Sequence, residues 1–176
     1  NNTTALTGIS NNTNWTVALT TNANYTWNCE TFDNSDLSST GLTNYTINID
    51  TIYPAIDYVS ITENSGSYLN RNFIQVNVTA NDLTTGIFNT TTYLYNSDST
   101  INISDNSLTS SNEANFTGLS DGTYFFNATT DDFAGNLNET AIRNVTIDTT
   151  YPAITGVSSI PPTPTYNNGT VENVSV

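Results

Sequence analysis

The chain has 176 residues and a formal net charge of −14, and only Arg71 and Arg143 are cationic. It contains no Lys, His or Met and a single cysteine, Cys29. That inventory excludes imidazole-assisted nucleophiles, Schiff bases and the P-loop lysine. It also removes the usual zinc and copper ligands and leaves no basic surface for nucleic acid or an anionic membrane.

In chain order, the elements fall into an internal repeat. Residues 1–52 hold counterparts of only the last three strands of a unit. Tyr25-Thr26-Trp27-Asn28-Cys29 falls on Tyr124-Phe125-Phe126-Asn127-Ala128 at an offset of 99. Ile49-Asp50-Thr51-Ile52-Tyr53-Pro54-Ala55-Ile56 recurs as Ile147-Asp148-Thr149-Thr150-Tyr151-Pro152-Ala153-Ile154 at an offset of 98. Residues 53–150 form the complete unit. Within it, β-branched and aromatic runs separated by Asn, Asp, Gly and Ser predict strands at about 55–61, 72–80, 90–96, 100–104, 114–118, 122–130 and 139–147. Ser120-Asp121-Gly122 and Asp132-Phe133-Ala134-Gly135-Asn136 supply turns. No segment reads as a helix. Residues 151–176 hold the first strands of a further unit, since Phe73–Val78 falls on Val171–Val176 at the same offset of 98. Seven short strands in one unit predict an all-β fold, an immunoglobulin-like β-sandwich, with repeats in a linear array.

The pattern Asp121-Gly122-Thr123-Tyr124, Asn127, Asp131, Ala134-Gly135-Asn136 and Val145-Thr146-Ile147-Asp148 before Tyr151-Pro152 resembles tandem immunoglobulin-like repeats of prokaryotic surface proteins. Asn24-Tyr25-Thr26-Trp27-Asn28-Cys29 resembles versions common in archaeal cell-surface proteins. The resemblance implies a fold and a location, and no active site. The hairpin at residues 30–40 departs from the pattern, because Thr31-Phe32-Asp33-Asn34-Ser35-Asp36 replaces the Ala-Gly-Asn turn.

Neither terminal fragment is a domain. A three-strand piece alone exposes unpaired edges and half a core, so residues 1–52 require completion by a neighbouring copy or by residues outside them. Joined, residues 153–176 and 1–54 hold about twenty residues fewer than one unit, enough for a smaller sandwich. Strand donation between subunits and a continuous covalent repeat both satisfy this, and both propagate head to tail. Thr51-Ile52-Tyr53-Pro54 and its copy predict short, stiff joints, because proline restricts itself and its predecessor to extended conformations; Pro161, Pro162 and Pro164 act likewise. No start Met, signal segment or apolar run near eighteen residues occurs, so the chain reads as a mature or excised piece with no membrane insertion in this segment.

The strongest functional signal is Asn-x-Ser/Thr. It occurs fifteen times, at Asn1, Asn2, Asn11, Asn14, Asn24, Asn44, Asn77, Asn89, Asn102, Asn115, Asn127, Asn138, Asn144, Asn168 and Asn173. Chance pairing in this composition predicts about eight, so abundance of Asn and Thr explains only half of them. Outward-facing acceptors are expected to carry N-linked glycans, Asn14, Asn44, Asn89, Asn115, Asn138 and Asn168 foremost. Asn127, on a presumed core strand, is the expected exception unless alternation puts it outside. A glycan coat also substitutes for absent lysines in discouraging edge-to-edge aggregation.

Other constellations are weaker. Asp50, Asp57 and Asp148 at the joints and Asp131 and Asp132 in a loop are calcium-ligand candidates, although no EF-hand spacing is present and a solvated acidic surface is the favoured account of them. No carboxylate pair is singled out for glycoside hydrolysis. Trp15, Trp27, Tyr124, Phe125 and Phe126 read as core before sugar platform, and Cys29, matching Ala128, as a small buried thiol. The expectation is a non-enzymatic, extracellular, glycosylated building block of a filament or surface stalk, whose partners are copies of itself and which needs no cofactor. The alternative is a fragment of a surface adhesin or surface-layer protein with a glycan-binding face.

Overall fold

The computed structural model describes residues 14–155. All regular structure among them is β. Residues 55–147 form a sandwich. One sheet runs β6 (Ser67–Leu69), β13 (Arg143–Ile147), β11 (Gly122–Asp132), β8 (Ile87–Tyr95) and β9 (Ile101–Ser107), with β12 (Leu137–Glu139) also on β11. The facing sheet is β10 (Ser111–Thr117), β7 (Phe73–Asn81) and β5 (Ala55–Tyr58). This is the expected immunoglobulin-like arrangement, with alternate residues of both sheets turned to one interior.

That interior follows from alternation. Ile74 and Val76 on β7 face Phe126, Val145 and Ile147 across the sandwich and Val78 packs with Ala128, while the Tyr124 hydroxyl donates to Ser120 O at 3.0 Å. The latter is the tyrosine corner of immunoglobulin-like sandwiches. Two differences from the sequence reading have physical causes. The expected single strand at 139–147 is interrupted into β12 and β13, because Thr140 turns inward and its hydroxyl accepts the Ala128 N–H at 2.9 Å. β6 was not expected: three residues are too few to show periodicity, and β6 is held by parallel pairing to β13.

Residues 14–50 contain a second, partial copy. β1 (Ala23–Trp27) pairs antiparallel with β4 (Tyr45–Ile49), and β2 (Glu30–Phe32) with β3 (Ser38–Thr40). Ala23 opposite Ile49 and Trp27 opposite Tyr45 reproduce Gly122 opposite Ile147 and Phe126 opposite Arg143. Likewise Glu30 opposite Thr40 and Phe32 opposite Ser38 reproduce Thr129 opposite Glu139 and Asp131 opposite Leu137. Tyr25 repeats the tyrosine corner on Thr21 O at 3.0 Å.

The 30–40 hairpin keeps its turn despite the changed residues, which corrects the expectation that it departs from the pattern. Asp33 Oδ1 accepts from Ser35 N and Leu37 N, as Asp132 Oδ1 does from Ala134 N and Asn136 N. Asp36 adopts φ 61° where Gly135 has φ 88°. Asp is among the few side chains that tolerate that region, so the swap preserves the geometry.

Candidate functional site

The partial copy presents core positions to solvent. Trp27 is 53% exposed and Ile47 45%, whereas their counterparts Phe126 and Val145 are each 0% exposed. Trp27 and Tyr45 stack at 4.8 Å between centroids, which shields part of each ring. Cys29 is exposed too, contrary to the buried thiol expected, because no facing sheet lies over it among the described residues, while its counterpart Ala128 is buried between two sheets. Among the described residues β4 pairs only with β1, whereas β13 pairs with β11 on one edge and β6 on the other.

The joint between the two parts is ordered by side chains. Asp50 Oδ1 accepts Ile52 N at 2.9 Å and its Oδ2 accepts Thr85 Oγ1 at 2.8 Å. Asn136 Nδ2 donates to Asp50 O at 3.3 Å, and Asn138 Nδ2 donates to Pro54 O at 2.8 Å. The linker is thus tied to the loops of the following unit. Asp148 repeats the local turn at the other end, accepting Thr150 N at 3.0 Å, and Asp121 there accepts the Thr149 hydroxyl and N–H.

Of the five calcium candidates Asp50, Asp57, Asp131, Asp132 and Asp148, the structure brings together Asp50 and Asp132, without Asp57, and adds Asp82, with one oxygen of each within 4.8 Å of the others. Asp131 and Asp148 are not in the group; Asp131 Oδ2 instead accepts Asn89 Nδ2 at 3.0 Å. Three hard oxygen donors suit calcium. Each carboxylate is already engaged: Asp82 Oδ1 takes the N–H groups of Thr84, Thr85 and Gly86, and Asp132 takes Ala134, Asn136 N and Asn136 Nδ2. Burial opposes ionisation of Asp82, but the backbone N–H groups outweigh it and hold its carboxyl below 3.8. No pattern in the sequence points to Asp82, because only the folded 82–86 loop brings it to Asp50 and Asp132.

The acceptor asparagines divide by exposure. Asn14, Asn24, Asn44, Asn102 and Asn115 are exposed. Asn89, Asn138 and Asn144 are half-buried, Asn89 and Asn138 with their amide nitrogens donating to Asp131 and Pro54. Asn77 and Asn127 are buried, at 6% and 5% exposure. Both lie on the outward parity of their strands and are covered from outside. Residues 59–62 pass over Asn77, where Val59 N donates to Asn77 O and the Thr62 hydroxyl bonds to Asn77 O and N. Tyr95 and Glu139 hold the Asn127 amide. Such lids come from neighbouring strands and loops, and no local pattern announces them. Asn1, Asn2, Asn11, Asn168 and Asn173 lie outside the described residues, as does the chain from 156 onward.

Of the remaining aromatics, Phe126 and Tyr124 are core, Phe125 faces outward half-buried, and Trp15 is 47% exposed. Phe88 and Phe133 form an exposed edge-to-face pair at 5.5 Å, beside Leu137. No helix among the described residues is long and apolar enough to cross a membrane.

No protein family matches the sequence, and no curated protein does. Among solved structures, the fibronectin(III)-like modules of Clostridium thermocellum CbhA are similar at 15% identity and TM-score 0.38, over 72% of this chain and 62% of theirs. Dimeric latent PorU from Porphyromonas gingivalis is similar at 11% identity and TM-score 0.42, over 72% of this chain and 12% of its own. An engineered protein is similar at 17% identity and TM-score 0.40, over 54% of this chain and 20% of its own.

Proposed function

We propose that this chain is a structural building block of an N-glycosylated extracellular filament or surface stalk, assembled head to tail from immunoglobulin-like repeats of a prokaryotic, archaeal-type surface protein. The observation that carries the reading is the partial copy: β1 to β4 keep the register of a finished sandwich while their core side chains Trp27 and Ile47 remain in solvent. Exposed apolar sheet faces of this kind mark interaction surfaces. Acceptor asparagines on both sheets, Asn115 on β10 and Asn102 on β9, fit a rod coated around its circumference. The role is mechanical and involves no catalysis, and calcium is not required for it.

A second reading, a surface adhesin with a glycan-binding face, is favoured by the exposed Phe88–Phe133 pair, since aromatic faces stack on sugars. Electron microscopy of cell-derived material separates the two. Beaded fibres support the building block. Dispersed particles that bind sugars through the Phe88–Phe133 surface, and lose that binding in Phe133→Ala, support the adhesin.

A further inference from the structure

The two long open edges of the complete unit lie side by side. β9 ends one sheet and β10 ends the other, each seven residues long, whereas the opposite edges are β5 with four residues and β6 with three. The chain turns directly from β9 into β10, and Asn112 on β10 donates through Nδ2 to Asp105 O on β9 at 3.0 Å. That bond takes one carbonyl of β9. Among the described residues no strand pairs with the outer edge of either.

Open edges of this length template pairing with another chain unless charge, proline, a bulge or a cover blocks them. β9 holds neither lysine nor proline, and one carboxylate, Asp105. Its bulge opposite Tyr95 disturbs residues 101–103 only; from Ile103 to Ser107 it pairs regularly with Leu94 to Thr90. Ile101 and Ile103 are exposed along it, and Leu108 just beyond it. By its own residues β9 is a poorly defended edge.

Each of these two strands carries one acceptor asparagine. Asn102 stands between Ile101 and Ile103, and Asn115 lies within β10. Of the acceptors on the strands of the complete unit, these two are exposed, while Asn77, Asn89 and Asn127 on interior strands and Asn138 and Asn144 on β12 and β13 are buried or half-buried. Ser104 and Thr117, which complete the two acceptor patterns, are exposed with them. Asn102 Nδ2 donates to Asn96 Oδ1 at 2.6 Å, and the hydrogen that remains on a glycosylated amide nitrogen suffices to keep that bond.

Resting on the glycosylated-filament reading above, we infer that N-linked glycans at Asn102 and Asn115 guard this side of the sandwich, and that without them β9 pairs antiparallel with β9 of a second copy. Facing side chains across such a pair lie about 5 Å apart at Cβ, so a sugar on Asn102 occupies space that the partner strand needs. Pairing of β9 with β9 about a two-fold axis closes on itself, and it continues the sheet β6-β13-β11-β8-β9 into its copy while covering Ile101 and Ile103. Asn115 guards the adjoining edge from the other sheet. The sugars thus keep neighbouring filaments apart and leave head-to-tail contact as the permitted one.

The test uses the full chain produced in its native cells. Ser104→Ala with Thr117→Ala removes both acceptor patterns while keeping both asparagines, and every substituted side chain is exposed. Glycopeptide mass spectrometry of the unmodified protein is expected to find sugar at Asn102 and Asn115, and microscopy to find single fibres. The double variant is expected to form side-by-side pairs with doubled mass per length, and Ile101→Lys added to it to restore single fibres, because a charge on the edge opposes pairing. Asn102→Gln with Asn115→Gln is expected to give the same pairs. Native protein without sugar at Asn102, single fibres in both double variants, or pairing that Ile101→Lys leaves in place overturns the inference. Failure of the filament reading is read separately: single particles from the unmodified chain contradict the filament, and a doubled particle mass in the double variants then still supports the guarded edge, while an unchanged mass overturns it.

Discussion

Arg71 and Arg143 are both spent inside one sandwich. Arg71 pairs with Glu63 and lies over Phe73, and Arg143 lies 4.1 Å over the Tyr58 ring while donating to Glu63 O. With no other cations, the chain stabilises its carboxylates by N–H and hydroxyl donors. Asp132 shows this most fully: it is 2% exposed and accepts three hydrogen bonds across its turn. Asp132→Ala is expected to cost about 2–3 kcal/mol, read as a lower midpoint in denaturant, because buried donors lose a charged partner. Acid acts on the same economy. Asp82, Asp98 and Asp121 are held below 3.8, through the N–H and hydroxyl donors of Gly86, Thr85 and Thr84, of Thr100, and of Thr149 and Thr150 respectively. Lowered folded-state values stabilise above the unfolded value and lose that stabilisation as pH falls through the folded one. Thermal midpoints should therefore be flat near neutrality and fall below about pH 3.8; a fall already complete at pH 6 contradicts this.

Turns and strands follow the same logic one level up. Gly135 has φ 88° with open space at its Cβ position, so Gly135→Ala meets only backbone strain and is expected to lower stability by about 1 kcal/mol. The repeat made the sandwich legible: alternation on β7 and β11, turn residues and the 98-residue offset together located the strands and the core. It did not disclose β6, whose three residues depend on β13, nor the burial of Asn77, which Thr62 imposes from elsewhere in the fold; Asn127, the expected exception, is buried, but at an outward position held by Tyr95 and Glu139. The 30–40 turn is not legible from residue type, because it depends on the positive φ that Asp36 adopts. Asp50 and Asp132 were legible at the joint, but Asp82 was not, since it reaches them only through the 82–86 loop. Packing separates the two copies further: Phe126→Ala should cost the complete unit about 3–5 kcal/mol, while Trp27→Ala leaves unfolding of that unit unchanged and reduces assembly.

At the scale of the molecule, a complete sandwich and, among the described residues, a half-sandwich share a chain, joined by a linker whose Asp50 and Pro54 are tied to the next unit. Both tryptophans, Trp15 and Trp27, belong to the unfinished part, so intrinsic tryptophan fluorescence reports on it alone. Assembly should shift emission to the blue as Trp27 is covered; an unchanged spectrum in assembled material contradicts burial there. Glycopeptide mass spectrometry of native protein should find modification at exposed Asn24, Asn44, Asn102 and Asn115 and none at Asn77 or Asn127. The most direct measurement of the central claim is cryo-electron microscopy of the native, cell-derived protein. Beaded fibres, with a sandwich completed over Trp27 and extra density at the exposed acceptors, are the predicted result. Isolated particles without such density, with the β1–β4 face still open to solvent, would contradict it.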